Sequence, residues 1–484
     1  MKMKHKVILF LLLVSIGGVS CKKYLNINSN PLSSLTVEPK LLFGYAITAW
    51  DANKNSGDAW LPIGLFGQTI ASGGDYGWGK DNVYNVNATA LGNTWKVYYS
   101  TAGNNLKLAI KNAESANPVD NNTAAQCKII LAQIMYEATT LYGDVPYTQA
   151  FDPDKFPYPQ YDTQKSVLEA VIALLDEANA QINLTSTLKL TDYDVFYAGD
   201  LNKWKKLANS IKFKTLMVMV DKDPSKAAAI GQLLANPSSM ISAANESLLR
   251  PYYGTTNNEN PKFRLFNRYT NGENQWFFAN SNVFDYMFPN AAVSDPRIPR
   301  YFDKGANATY KAIGSEVTAD ETVSLISAYL YRKDAPSVIF SYQELLLLKA
   351  EAYSRGLGVS QNLATAQGLY REGVIQSCLF YGASSTDANN FANTTLPNLT
   401  TTSDPLRQIH LQQWVDLMDR PMEAFVQWRR SGPEGSEVPA LTLPIGATSG
   451  SLIRRYTLSL DEIAANPNIP NPQPRYFDKM WFDL

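Results

Sequence analysis

The sequence predicts a mostly α protein: tetratricopeptide-like helix pairs as a scaffold, joined to an irregular half made of long loops. Three observations predict it. Apolar residues recur at helix spacing in segment after segment, two of those segments close on each other through a glycine turn, and two long stretches break the pattern.

In chain order, the first clear helix runs from Cys127 to Tyr142. Leu168, Val171, Ile172, Leu175 and Ile182 mark the second. The third carries Trp204, Leu207, Ala208, Ile211, Thr215 and Val218 on one side and Lys203, Lys205, Lys206 and Lys212 on the other, which reads as a solvated face. Helices at Tyr342 to Arg355 and Leu363 to Gln376 form a hairpin through Gly356 to Gly358, with Ala366, Tyr370 and Gly373 at close-packing positions. Two more are expected at Pro405 to Met418 and Met422 to Arg430. No clean 34-residue period appears, so any repeats are degenerate. The stretch Ser384 to Ser403 reads as a surface excursion, and Met480, Trp481 and Phe482 are expected to dock on the body.

The amino terminus has the order of an export signal. Lys2, Lys4 and Lys6 precede the apolar run Val7 to Val14, and Gly17, Gly18, Val19 and Ser20 lead into Cys21. That run is shorter than the roughly 20 apolar residues a membrane-spanning helix needs. A cysteine directly after small residues resembles the lipobox of bacterial lipoproteins, which implies cleavage before Cys21 and lipid on its thiol; the alternative is an ordinary secretory leader. Residues 21–484 then form a single domain.

Composition excludes several functions. A formal net charge of −1, with no basic tract after the leader, gives no field to gather nucleic acid. His410 is the sole histidine beyond the leader, so an HExxH zinc site is excluded, and no GxSxG elbow marks a serine nucleophile. No metal or cofactor is expected. Gly74, Gly79 and Lys80 fit a phosphate loop until Asp81 stands where Ser or Thr is needed. Asp51, Asn53 and Asn55 have the spacing of calcium-loop oxygens, but Ser56 replaces the turn glycine and Pro62 the bidentate glutamate, leaving a capping loop as the plain reading. Cys127 and Cys378 lie in apolar helical surroundings and are expected as buried free thiols.

The positive signal lies in the irregular segments, about 57–93 and 250–335. The first holds Tyr76, Trp78 and Tyr84, with Trp95, Tyr98 and Tyr99 at its exit. The second holds Tyr252, Tyr253, Phe266, Tyr269, Trp276, Phe277 and Phe278 among Asn257, Asn258, Asn260, Asn267, Asn271 and Asn274. Aromatic faces suit the C–H groups of a sugar ring, and amides both donate to and accept from its hydroxyls. Long loops in a compact protein commonly carry function. Tyr76, Trp78, Tyr84, Tyr269, Asn274, Trp276 and Phe277 are the candidate ligand contacts, for a glycan first and a peptide second.

Several stretches, in order, resemble the SusD/RagB family of nutrient-binding outer-membrane lipoproteins of Bacteroidota. These are Asn26-Ile-Asn-Ser-Asn-Pro31, Leu141-Tyr-Gly-Asp-Val-Pro-Tyr147, Phe196-Tyr-Ala-Gly-Asp-Leu-Asn-Lys-Trp204, Asp295-Pro-Arg297, Tyr342 to Ala352, and Trp414 through Glu423-Ala-Phe-Val-Gln-Trp-Arg-Arg430. The resemblance implies a helical fold with an irregular ligand-binding half, anchored at the outer membrane through lipid and facing the cell exterior. It also implies a SusC-like TonB-dependent porin as partner, and reversible binding in place of catalysis. An extracellular glycoside hydrolase and a helical-repeat scaffold for protein partners are the alternatives.

Overall fold

The computed structural model describes residues 37–72, 84, 86, 88–270, 276–289, 294–314, 319–444, 446, 447 and 450–484, except for the side chains at 88–91 and 268–270. Residues 39–484 group as one compact unit.

Helix α1, Pro39–Ser56, buries Phe43, Ala46, Ile47 and Trp50. After the short α2, Leu61–Phe66, and β1, Ile70–Ser72, helix α3, Ala88–Lys96, runs through a π-helical turn at Val97–Gly103 into α4, Asn104–Glu114. Helix α5, Asn121–Tyr142, starts where Asp120 accepts from the Thr123 amide and stops at Gly143, whose φ of 82° suits a residue without Cβ. Helix α6, Gln164–Gln181, is capped by Thr163, and α7, Leu201–Met219, by Asp200. Successive helices pack on each other, α4 on α5, α5 on α6 and α6 on α7.

Next come α8, Ala227–Ala235; β2, Leu248–Arg250; α9, Pro261–Thr270; β3, Phe277–Ala279; α10, Ser281–Met287; α11, Ile298–Tyr301; and β4, Ser337–Phe340. The expected hairpin is present as α12, Tyr342–Arg355, and α13, Leu363–Phe380. Ser341 accepts from the Glu344 amide at its start, and Gly356 at φ 71° ends α12 in the left-handed region. A Cβ on Gly373 would lie 2.9 Å from Leu347 Cγ, so the glycine is what lets the two helices approach. Helix α14, Ser385–Asn390, precedes α15, Pro405–Asp416, and α16, Pro421–Arg430, with α17, Leu460–Ala465, near the end. Met480 and Phe482 are buried, as the apolar C-terminus predicts. Among the described residues no helix is long and apolar enough to cross a membrane.

Four expectations change. The segments 57–93 and 250–335 are less irregular than their composition indicates, since α2, the start of α3, α9, α10 and α11 fall in them. Asp51, Asn53 and Asn55 lie on α1, buried, and are neither a calcium loop nor a capping loop. The lysines of α7 are half-buried and engaged: Lys206 pairs with Glu246 at 2.5 Å, Lys212 with Asp176 at 2.7 Å, and Lys205 donates to Asn179 O at 2.9 Å. The excursion at 384–403 begins in helix α14 and buries Ala388, Phe391 and Leu399 against α13.

The scaffold interior is ionic as well as apolar. Glu137 accepts from Trp50 Nε1 at 2.8 Å and pairs with Lys54 at 2.9 Å; Lys54 also pairs with Glu423 at 2.6 Å. Burial alone would lower the Lys54 pKa, but the two carboxylates raise it above its ordinary value. Glu351 accepts from both arms of Arg430, at 2.9 and 2.7 Å, and from Arg355 at 2.9 Å, with His410 at 3.6 Å. Burial would raise its pKa, whereas Arg430 and His410 hold it well below the usual carboxylate range. These contacts tie α1, α5, α12, α15 and α16 into one block.

Candidate functional site

Two three-residue strands adjoin the sequence stretches that carry the candidate residues. β1 and β3 pair antiparallel, with Ile70 opposite Ala279 and Ser72 opposite Phe277. Ser72 therefore lies beside Phe277, with Trp276 immediately before it in the chain. On the other side of β3, Ala279 N donates to Ser324 O at 2.8 Å and Ile326 N to Phe277 O at 2.9 Å. A small apolar cluster of Ala71, Phe278, Ile313 and Val323 lies beneath this junction.

Amide side chains hold the junction to the scaffold. Gln68 Nε2 donates to the Tyr84 hydroxyl at 2.9 Å and to Thr442 O at 2.7 Å, while its Oε1 accepts from Asn282 Nδ2 at 2.7 Å. Asn280 caps α10 through the Asn282 amide at 2.9 Å and reaches Ile70 O at 3.3 Å. Trp414 Nε1 on α15 donates to Asn282 O at 2.9 Å. Gln68 and Tyr84 both adopt left-handed backbone, at φ 55° and 59°. Each such residue costs on the order of 1–3 kcal/mol, offset by the surrounding bonds.

The candidate residues part company here. Trp276 is half-buried at the rim, its ring edge-on to Phe277 with centroids 6.4 Å apart. Phe277 is 1 % exposed, packed edge-on to Trp60 at 5.9 Å and against Phe266 at 5.9 Å. Tyr84 is also 1 % exposed, and its hydroxyl donates to Phe66 O at 2.9 Å. In this structure both rings are interior. Tyr269 lies in the last turn of α9, with its side chain outside the described set. Cys21, Tyr76, Trp78, Asn274 and the Gly74, Gly79, Lys80 near-match lie outside the described residues. Trp95 and Tyr98 are core, Tyr252 is buried with its hydroxyl on Asp51, and Tyr253 is exposed. Sequence reasoning missed Gln68 and Asn280, since single amides in mixed-polarity stretches carry no local signal of long-range bonding.

Cys127 and Cys378 are buried and unpaired, and burial raises the Cys378 thiol to about 12, which leaves it protonated and inert. The buried acids Glu137, Glu351 and Glu423 are engaged by scaffold cations. Among the described residues no group of His, Cys, Asp or Glu could hold a metal ion.

A mostly helical scaffold defines the class, and sequence and structure comparisons name the family. Residues 37–457 match the SusD-like family described as "Starch-binding associating with outer membrane", and the chain belongs to that family. No curated protein matches it in sequence. Solved structures share the fold. One, a chitin-binding protein, is 22% identical, covers 92% of this chain and 100% of its own, and has a TM-score of 0.75. A SusD/RagB family protein from Bacteroides thetaiotaomicron is 21% identical over 90% of this chain and 95% of its own, at TM-score 0.75. A chitin-binding SusD homolog from Flavobacterium johnsoniae is 18% identical over 92% and 97%, at 0.71.

Proposed function

We propose that the chain is a cell-surface lipoprotein, anchored in the outer membrane through Cys21, that binds a glycan at the β1–β3 junction and hands it to a SusC-like TonB-dependent porin. The observation that carries this reading is the pairing of Ser72 with Phe277, which sets the residues that flank the two aromatic- and amide-rich stretches side by side, next to Trp276. The family's description, and the chitin-binding names of two proteins of the same fold, support glycan over peptide. Tyr76, Trp78, Tyr269 and Asn274 are proposed contacts with Trp276; Tyr84 and Phe277 are proposed to act with them from behind the rim. The reading requires binding and release without bond cleavage.

Calorimetric titration with chitin, starch and xylan oligosaccharides tests it. A saturable response with intact ligand recovered afterwards is expected. Shortened ligand would favour a hydrolase, and silence from the whole panel would sink glycan binding. Co-purification of the tagged protein with a TonB-dependent porin tests the partner.

A further inference from the structure

A second cleft, of about 660 Å³, opens where the loop 192–203 and the residues around Thr48 of α1 face the stretch 250–264. It is distinct from the Trp276 rim: Arg264, which lines it, is followed by six more residues of α9, about 9 Å of helix, and Trp276 is not among its lining residues.

Its walls are stiff, and three of its polar side chains are free. The buried Asp194 carboxylate accepts from the amides of Phe196 at 3.1 Å, Tyr197 at 3.0 Å and Gly199 at 2.8 Å, and from Trp204 Nε1 at 2.7 Å. This holds the exposed Ala198 at φ 50°, where a residue with Cβ is strained. Opposite, Tyr253 N donates to Asn258 O at 2.8 Å, closing a turn with Asn257 at φ 70° and leaving the Tyr253 ring 60% exposed. The side chains of Asp192, Asn257 and Arg264 line the cleft, and none has a hydrogen bond or ion pair with any described residue. A carboxylate, an amide and a guanidinium, each planar and uncommitted, beside an open ring match the alternating hydroxyl and C–H faces of a sugar. Charge around the cleft nearly balances, Lys203, Arg250 and Arg264 facing Asp192, Asp194 and the Asp51 that pairs with Arg250 at 3.5 Å, which disfavours an anionic ligand. Beyond Thr48 the surface continues over Tyr45, one helical turn away and 60% exposed, and over Tyr193, 37% exposed against Gly44. That run of rings suits a chain of sugars better than a single one.

We infer that this cleft is a second binding site for a neutral oligosaccharide, in which Tyr253 stacks on one sugar while Asp192, Asn257 and Arg264 bond its hydroxyls. The inference goes beyond the proposed function and does not need the Trp276 rim. The test titrates chitohexaose and maltohexaose into the full-length protein, the Tyr253→Ala/Arg264→Ala variant and the Trp276→Ala variant. For the probe that binds, the cleft variant is expected to lose one of two sites, or about tenfold in its affinity, while its thermal unfolding midpoint stays unchanged, and Tyr253→Phe restores binding. Loss confined to Trp276→Ala overturns the cleft and leaves the rim standing. Loss confined to the cleft variant overturns the rim and leaves the cleft. Unchanged stoichiometry and affinity in the cleft variant, or no binding of either probe by the wild type, overturns the inference.

Discussion

Helix α5 and the β1–β3 junction are held in opposite ways. From Asn122 through Tyr142 every residue of α5 is buried, polar ones included, and its Glu137 is engaged by Trp50, Lys54 and Gln133. The junction has strands of three residues each, two non-glycine residues in left-handed backbone, and a few amides binding it to the block behind. Stability is concentrated in the helices, and the loop face borrows it through Gln68, Asn280 and Trp414. Damage to the block should therefore unfold the protein, whereas damage to the face should alter binding first.

The largest effect is expected from Glu351→Ala, which leaves Arg430 and Arg355 without their shared carboxylate. Removing one partner of a buried pair costs about 3–5 kcal/mol, readable as a lower urea midpoint. Because the Glu351 pKa is depressed in the folded state, its contribution is present above its ordinary value of 4.5 and is lost as pH falls. Urea midpoints collected across that range should show the wild type converging on the variant at the acid end. Gly373→Val comes next: extra methyls pressed against Leu347 should cost about 1–3 kcal/mol by overpacking α12 on α13, with glycan titration unchanged.

Lys349 works in the other direction. Burial lowers its pKa from an ordinary 10.5 to about 8, so the folded state carries a cost below pH 8 that is relieved as pH rises toward 10.5. Lys349→Met should be more stable than the wild type at pH 7, and the gap should close by the upper end of that window in thermal unfolding. Tyr84→Phe is the smallest, about 1 kcal/mol for removing the hydroxyl that donates to Phe66 O and accepts from Gln68 Nε2. An effect as large as that of Glu351→Ala would mean that the junction is part of the block.

Much of the scaffold was legible because its signals are local. Ser341 with Glu344 marks the start of α12 and Gly356 its end, and the spacing of Ala366, Tyr370 and Gly373 shows the face that packs on it. Helix α1 was missed because Asp51, Asn53, Lys54 and Asn55 interrupt its apolar stripe. They are buried by partners hundreds of residues away, Lys54 by Glu423 and Asn55 by Asn260, which no window of sequence contains. The α7 lysines misled for the same reason, since Lys206 meets Glu246 only in the fold. In the candidate site, composition singled out the rings but not their direction. Trp276, the residue before β3, is half-buried, whereas Phe277, the first residue of β3, is interior.

The face beside Trp276 is proposed to bind glycan while the helical block supports it. Titration of one glycan ligand into wild type, Trp276→Ala and Gly373→Val tests this most directly. About tenfold or greater loss of affinity is expected in Trp276→Ala at unchanged unfolding midpoint, and unchanged affinity in Gly373→Val at a lowered midpoint. Full affinity in Trp276→Ala, or loss of binding in Gly373→Val while it remains folded, would contradict it.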